Sequence, residues 1–218
     1  NAVFMVAGTM GSIVLMSLGM TIPHVFLVVA ILNAGIAVWV CKLLPDTLLK
    51  SIFAAILKIF YKVRIEGIEN LPRDERVIIV VNHVSFLDGM LLAAFLPGRL
   101  TFAVNTGIAK RWWAKIGLIL VDAVSLDPTR PLAAKTLTRA VEAGRHVVIF
   151  PEGRITVTGA LMKVYEGPGM IADKTGATLV PIRIDGAQYS FFSRLKGKVK
   201  QRWFPKISLT ILSPRKLQ

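Results

Sequence analysis

A histidine and an aspartate follow an apolar segment at a spacing that suits proton transfer. Val77 to Val81 is β-branched throughout, and the motif Asn82-His83-Val84-Ser85-Phe86-Leu87-Asp88-Gly89 comes directly after it. Open α/β sheets place their ligand-binding loops at the carboxyl ends of strands. If the intervening residues form a turn, the Asp88 carboxylate can reach one ring nitrogen of His83 and raise its basicity. The pair then suits a general base that removes a proton from a hydroxyl.

A second polar motif follows another apolar segment. His146 to Phe150 is typical of a strand and continues into Pro151-Glu152-Gly153-Arg154. The planar arginine fork suits a phosphate, and glycine lets the backbone approach a ligand closely. Taken singly, the motifs have plainer interpretations: a buried histidine beside a helix-capping aspartate, and a surface salt bridge in a turn. The occurrence of both motifs at strand ends favours one shared site.

The elements that must position these motifs form an α/β pattern. Short β-branched runs alternate with helical stretches from Val63 onward, which is typical of a sheet flanked by helices. The predicted strands are Val63–Ile68, Val77–Val81, Thr101–Val104, Leu118–Val124, His146–Phe150, Thr178–Ile184 and Ile207–Leu212. The predicted helices are Asp88–Phe95, Lys110–Lys115, Leu132–Ala143 and Gly169–Thr175.

The start of the 218-residue chain differs in composition from the rest. Residues 1–41 contain no Lys, Arg, Asp or Glu, so the formal net charge of +14 lies entirely on the remainder. Val3–Met20 and Val25–Leu44 are long and apolar enough to predict a transmembrane helical hairpin, and the basic residues that follow place the next domain in the cytosol. With 54% hydrophobic residues, the composition excludes a disordered chain and an ordinary soluble protein. The single cysteine, Cys41, excludes an internal disulfide framework.

We therefore predict three parts: a transmembrane hairpin over residues 1–44, an amphipathic interfacial helix or linker over residues 45–62, and a catalytic domain over residues 63–218. In the second part, Ser51–Lys62 mixes large apolar residues with lysines. This mixture fits a helix that lies on the membrane surface. It fits equally well a helix whose apolar face is buried against the next domain.

Three ordered blocks resemble those of the glycerolipid acyltransferase family. They are Asn82 to Gly89, Phe150 to Arg154 and Val180-Pro181-Ile182, and the resemblance covers roughly residues 65–186. Ordered blocks are far more specific than any single motif. The resemblance implies a mixed central sheet flanked by helices, and a membrane-bound enzyme that transfers a fatty acyl group to the free hydroxyl of a lysophospholipid. It implies no tightly bound cofactor, with acyl carrier protein (ACP) or coenzyme A thioesters (acyl-ACP or acyl-CoA) as co-substrates.

Within the family, two further stretches narrow the resemblance. Trp112 to Gly117 and Asp127 to Pro131 are similar to the acyltransferase part of bacterial bifunctional enzymes that join a lysophosphatidylethanolamine acyltransferase to an acyl-ACP synthetase. The apolar hairpin is similar to the closing helices of a lysophospholipid transporter. These likenesses imply a bacterial inner-membrane protein with its catalytic domain in the cytosol, and transporter and synthetase domains in the same full-length chain.

The resemblance also implies a role for each block residue. His83 is expected to be the general base and Asp88 to orient it. The remaining block residues are expected at the substrate: Asn82, Ser85, Gly89, Glu152, Gly153, Arg154 and Pro181. Ser85 is also expected to bond within its own turn rather than act as a nucleophile. No covalent acyl-enzyme is expected.

One block departs from the family pattern. A further block of the family, which usually ends in an arginine, corresponds here to Gly117 to Ala123. The resemblance implies that this arginine helps hold the acceptor's phosphate. Ala123 stands in its place, and Arg130 is a candidate substitute. The departure favours lysophosphatidylethanolamine over lysophosphatidic acid as acceptor, and the latter is the alternative. The alternative outside the enzymes is an inert lipid-binding or transporter-associated module.

Charge and histidine spacing complete the expectations about partners. After Asp185 there is no acidic residue, while basic and aromatic residues accumulate. This mixture suits anionic membrane lipids and would also attract an acidic acyl carrier protein. No nucleic-acid partner is expected, because no recognised binding module accompanies the positive charge. His24, His83 and His146 lack the paired spacing of metal ligands, so no metal site is expected.

Overall fold

The architecture is a mixed β-sheet with helices packed on it. The computed structural model describes residues 2–43, 46–72, 75–105, 121–126 and 132–217. The strands are β1 (Arg64–Glu66), β2 (Val77–Val81), β3 (Leu100–Asn105), β4 (Asp122–Leu126), β5 (His146–Ile149), β6 (Thr178–Asp185) and β7 (Ser208–Ile211). The helices are α1 (Ala2–Ser17), α2 (Ile22–Leu43), α3 (Asp46–Tyr61), α4 (Leu87–Phe95), α5 (Leu132–Glu142) and α6 (Gly167–Thr175).

The described strands form one sheet in the order β1-β7-β6-β2-β5-β3-β4. Neighbouring strands are parallel except β6 and β7, which run antiparallel. The predicted mixed central sheet flanked by helices is therefore confirmed. Because β2 lies beside β5 with Val80 opposite Ile149, both strands end at the same edge of the sheet.

The element bounds follow the sequence pattern closely where the structure describes them. β2 has the predicted bounds, whereas β1 is shorter than expected because Gly67, at φ +74°, turns the chain out of the strand. The predicted strand Leu118–Val124 overlaps β4 from Asp122 onward, and its first residues lie outside the described part. The predicted helix Lys110–Lys115 also lies outside the described residues.

The core lies on both faces of the central strands, which explains their continuous apolar runs. On one face, α5 and α6 cover Ile78, Val147 and Ile149, with Val141 and Ile171 facing the sheet. The opposite face carries Phe102 and is covered by α4, where the added Cβ of Gly89 would lie 3.8 Å from the Phe102 ring. Burial on both faces fixes the position of the strands, and the polar motifs follow directly at their carboxyl ends.

The contacts divide the chain into residues 1–49 and residues 50–218. In the first unit, α1 and α2 contact each other. Among the described residues, one helical stretch, Ile22–Val40, is long and apolar enough to cross a membrane, and the apolar stretch Gly8–Ser17 of α1 is shorter. The transmembrane hairpin and the boundaries at residues 44 and 62 stay predictions.

Helix α3 has both buried and exposed apolar residues, and its position on a membrane surface stays a prediction. Leu57 and Tyr61 are buried, and Lys58 lies over the Phe95 ring of α4, 5.9 Å from its centroid. On another side of the same helix, Ile59 is 73% exposed. One face of α3 therefore packs on the domain while apolar side chains remain exposed beside it.

Candidate active site

The two polar motifs lie side by side at the carboxyl edge of β2 and β5. Parallel pairing of these strands sets residues 82–88 next to residues 150–154. Their backbones are joined directly, because the Thr156 amide donates to the His83 carbonyl at 2.8 Å. The position matches the place where open α/β sheets bind ligands.

His83 and Asp88 form a hydrogen-bonded pair. The ring Nδ1 of His83 lies 2.9 Å from Oδ2 of Asp88, and the same oxygen accepts the amides of Val84 at 2.7 Å and Ser85 at 2.9 Å. An ionised carboxylate only accepts hydrogen bonds, so the tautomer that fits beside ionised Asp88 has its proton on Nδ1 and its lone pair on Nε2. The ring therefore presents a base whose tautomer and direction are set by Asp88.

Asp88 is completely buried, whereas the His83 side chain is 18% exposed. Burial raises the pKa of the Asp88 carboxyl, and the hydrogen bonds from His83, Ser85 and Val84 act in the opposite direction. Its second oxygen, Oδ1, has no hydrogen-bond partner among the described residues. A carboxylate in such surroundings stabilises positive charge on the neighbouring ring strongly.

Glu152 supports the histidine rather than facing outward. It is 4% exposed, and its two oxygens accept the amides of His83 at 2.9 Å and Met162 at 3.0 Å. The His83 ring also stacks on Phe150, with centroids 4.0 Å apart and planes inclined by 20°. The backbone and the ring of His83 are thus held by the second motif.

Arg154 is the exposed cation of the second motif. Gly153 adopts φ +65°, and its amide donates to the Phe150 carbonyl at 3.0 Å, which closes a tight turn just before the arginine. Among the described residues no carboxylate is paired with Arg154, and its guanidinium is left for an anionic group.

Two residues expected at the substrate have hydrogen-bond partners within the protein, and their substrate roles stay predictions. The Asn82 amide group donates to the Ile184 carbonyl at 2.9 Å and accepts the Ile184 amide at 2.8 Å, which ties the end of β2 to β6. Ser85 is completely buried, and its hydroxyl accepts the Leu87 amide and lies 3.2 Å from the Ser190 hydroxyl. Both side chains brace the loop, because their polar atoms have partners inside the fold.

The other predicted positions are placed as follows. Gly89 lies in the first turn of α4 over the sheet, and Pro181 lies within β6 opposite Val80. Ala123 is exposed on β4, the edge strand beyond β3. Arg130 lies outside the described residues, so its expected role stays a prediction.

His146 does not lie at this site. His146 begins β5 and therefore lies at the opposite edge of the sheet from His83, and burial lowers the pKa of its imidazole. Among the described residues, no three His, Cys, Asp or Glu side chains are grouped closely enough to hold a metal ion.

Sequence reasoning missed three supports of His83: the Phe150 ring, the Glu152 carboxylate beneath its amide, and Ser190 behind Ser85. A signal existed for Phe150 alone, since an aromatic residue ends the strand that delivers the second motif. The other two depend on chain segments about 70 and 105 residues away, which the hydrogen bonds join.

A parallel-rich sheet with a histidine–carboxylate pair at its carboxyl edge is an arrangement found in α/β enzymes. The comparison with family models narrows this class, because the Acyltransferase model matches residues 62–185. The chain belongs to the Acyltransferase family.

Individual relatives agree with this assignment. The chain is 36% identical over 132 residues to the chloroplastic 1-acyl-sn-glycerol-3-phosphate acyltransferase of Arabidopsis thaliana, over 58% of this chain and 37% of that protein. It is 30% identical over 162 residues to 1-acyl-sn-glycerol-3-phosphate acyltransferase of Cocos nucifera, over 71% of this chain and 50% of that protein. The chain thus spans about a third to a half of the length of these relatives.

A solved structure shares the fold. The 1-acyl-sn-glycerophosphate acyltransferase PlsC of Thermotoga maritima superimposes with a TM-score of 0.64 at 24% identity, over 85% of this chain and 78% of that one. At this identity the likeness establishes the fold, and the site must be argued from its own geometry.

Proposed function

We propose that the chain is a membrane-bound acyltransferase that moves a fatty acyl group from a thioester to the free hydroxyl of a lysophospholipid, with His83 as general base. The observation that carries the proposal is the 2.9 Å contact between His83 Nδ1 and Asp88, which leaves Nε2 as the proton acceptor. Membership of the Acyltransferase family supports the reaction class.

The proposed reaction is a direct transfer. His83 Nε2 takes the hydroxyl proton as the acceptor oxygen attacks the thioester carbonyl, and the carbon–sulfur bond then breaks. The departing thiolate receives the proton from the imidazolium, so the products are an ester and a free thiol and His83 returns to its starting state. Ser85 takes no part as a nucleophile, because its hydroxyl is buried and bonded.

The surroundings of the pair lower the barrier to this step. Positive charge develops on the His83 ring as it takes the proton, and the buried Asp88 carboxylate lies against that charge. Preorganised partners of this kind cost little reorganisation during the reaction. Glu152 holds the His83 backbone, and Asp88 and Phe150 hold the ring, so the orientation of Nε2 does not depend on the substrate.

The acceptor's head group has two candidates. The relatives' names refer to 1-acyl-sn-glycerol-3-phosphate, which favours lysophosphatidic acid, and the exposed Arg154 suits its phosphate. The replacement of the block arginine by Ala123 favours an acceptor with less charge at the phosphate, such as lysophosphatidylethanolamine. Either acceptor has the free glycerol hydroxyl that the reaction requires.

The donor and the location complete the proposal. We infer an acyl-ACP or acyl-CoA thioester as donor, with no tightly bound cofactor and membrane lipids as the source of the acceptor. The apolar helix Ile22–Val40 supports attachment to a membrane, and a bacterial inner membrane with the catalytic domain in the cytosol is the proposed setting. Fusion to transporter and acyl-ACP synthetase domains stays part of the proposal.

Competition between acceptors tests the proposal. The detergent-solubilised chain receives both lysophospholipids together with acyl-ACP or acyl-CoA, and the products are separated by mass spectrometry. Diacyl phosphatidylethanolamine or phosphatidic acid as the main product identifies the head group, and Arg154→Ala should reduce phosphatidic acid formation more strongly. Failure to acylate either acceptor with either donor, by a folded chain, contradicts the proposed function.

A further inference from the structure

The segment between β6 and β7 lies against residues 82–89, here named the catalytic loop. Ser193 forms an antiparallel bridge with Ser85, and the Phe86 amide donates to the Phe192 carbonyl at 3.1 Å. On its far side, the Lys198 ammonium donates to the Val157 carbonyl at 2.6 Å. These contacts fix the segment beside both motifs of the candidate active site.

Four large aromatic side chains of residues 191–206 face solvent. Phe191 and Phe192 are 48% and 50% exposed, and Trp203 and Phe204 are 72% and 56% exposed. The rings of Phe191 and Trp203 contact each other, with centroids 4.5 Å apart. Aromatic rings clustered in this way on a surface mark an interaction site.

The apolar surface continues onto helix α3. Phe204 packs against Phe60, with ring centroids 4.9 Å apart, and Ile56 and Ile59 of the same helix are 46% and 73% exposed. A strip of exposed apolar groups therefore runs from α3 through Phe60 to Phe204, within the unit formed by residues 50–218.

The same segment is strongly basic. All of its cations are exposed: Arg194, Lys196, Lys198, Lys200, Arg202 and Lys206. No acidic residue follows Asp185 in the sequence. Arg194 lies over the Phe86 ring, 5.5 Å from its centroid, so the positive charge reaches the catalytic loop itself.

We propose that residues 191–206, here named the basic aromatic surface, dock on an anionic lipid bilayer and hold the His83 site at the level of the lipid head groups. Exposed tryptophan and phenylalanine rings favour the interface between head groups and acyl chains, and each basic residue near an anionic surface strengthens binding about fivefold. An acidic protein would match the positive charge of this segment but would leave most of the exposed aromatic rings without a binding partner. The inference does not depend on which lysophospholipid is acylated.

Quenching by lipids tests this docking without any turnover. The full chain carries Cys41→Ser and Trp203→Cys with a fluorescent label at position 203, and it is reconstituted in vesicles whose acyl chains bear bromine. The matched control places the label at Arg145→Cys, an exposed position just before β5 at the opposite edge of the sheet. Vesicles of phosphatidylcholine alone are compared with vesicles that also contain phosphatidylglycerol.

The expected result is strong quenching at position 203 and little at position 145, with a clear increase when phosphatidylglycerol is present. Lys196→Gln, Lys200→Gln and Lys206→Gln together should weaken docking about a hundredfold. The matched triple variant Lys135→Gln, Arg139→Gln and Lys174→Gln, on α5 and α6, should leave it unchanged. Both triple variants change exposed side chains, and thermal unfolding verifies that they fold.

Equal quenching at the two positions, or no dependence on phosphatidylglycerol, would overturn the proposal. So would a label at position 203 that responds to added acyl carrier protein and not to lipid. Because quenching requires no acyl transfer, a failure of docking is distinguishable from a failure of the proposed reaction.

Discussion

The catalytic loop at residues 82–89 and the basic aromatic surface touch each other but are built in opposite ways. In the loop, Ser85 and Asp88 are completely buried, and their hydrogen bonds are made inside the protein. In the surface, cations and aromatic rings project into solvent. A proton-transfer site needs atoms held in one geometry, whereas the proposed docking on lipids needs charges and rings that are exposed to solvent.

The largest effect is expected from removing the charge at the centre of the loop. Asp88→Asn keeps an oxygen that can accept the amides of Val84 and Ser85, but it loses the negative charge that stabilises the His83 imidazolium. We expect kcat to fall at least about a hundredfold with little change in KM. Asp122, whose side chain is 39% exposed and pairs with Arg99 at 2.7 Å, provides the control Asp122→Asn, which should retain activity.

The pH dependence of the free energy of unfolding provides a second test of Asp88→Asn. Burial raises the pKa of Asp88 above its ordinary value of 3.8, so the folded state binds this proton more tightly than the unfolded state. Its favourable contribution is present below that ordinary value and is lost as pH rises through the raised pKa. Asp88→Asn should therefore reduce the decline in stability above about pH 4, and an unchanged profile in denaturant titrations would contradict the assignment.

Gly186 tests whether the basic aromatic surface is held as firmly as the loop. This residue adopts φ +92°, and a Cβ there would collide with the Lys206 carbonyl oxygen. We expect Gly186→Ala to lower the free energy of unfolding by about 3 kcal/mol, through strain and overpacking together. Gly144→Ala is the matched control, since Gly144 has φ +75° with open space around it and should cost about 1 kcal/mol.

Chemical denaturation of both glycine variants measures the difference. A Gly186 variant no less stable than the Gly144 variant would mean that the segment between β6 and β7 is free to shift, and its contacts would then not fix the basic aromatic surface beside residues 82–89.

An intermediate effect is expected where the second motif supports the first. Glu152→Gln keeps one acceptor oxygen and replaces the other by an NH2 group, so either the His83 amide or the Met162 amide loses its acceptor. We expect a loss of about 2 kcal/mol in stability and about tenfold in kcat. The control Glu142→Gln changes an exposed glutamate of α5 and should alter neither quantity. Full activity in the folded Glu152 variant would show that His83 needs no support from the second motif.

The smallest effect is expected for Ser85, and it distinguishes a structural role of this residue from a chemical one. Ser85→Ala removes the acceptor of the Leu87 amide and the contact with Ser190, which should cost about 1 kcal/mol in stability. Because Ser85 is not a nucleophile in the proposed reaction, kcat should change less than about threefold. Loss of activity comparable with that of Asp88→Asn, at unchanged stability, would assign the hydroxyl a chemical role.

The sequence allowed the strands, most helices and the His83 and Asp88 pair to be predicted, because these depend on local patterns. Val77–Val81 is bounded by a change from apolar to polar residues, and the five-residue spacing of the pair fits a single turn. The roles of Asn82 and Glu152 could not be predicted in the same way. Their partners, Ile184 and Met162, are set by strand pairing and loop packing over longer distances.

The proximity of the basic aromatic surface to the candidate active site likewise could not be predicted from local sequence patterns. Its composition alone predicted a lipid or protein partner, but the bridge between Ser85 and Ser193 joins segments more than a hundred residues apart. Such a contact depends on the crossover that returns the chain from β6 to β7, which runs antiparallel at that point.

The central claim is that His83 is the base in a direct acyl transfer, and one measurement tests it most directly. The full chain and its His83→Ala variant, in the same detergent, receive a labelled acyl thioester and a lysophospholipid, and the diacyl product is measured over time. With matching thermal unfolding of the two proteins, we predict that His83→Ala forms product at least about a hundredfold more slowly. Turnover at the normal rate by a folded His83→Ala protein would contradict the account.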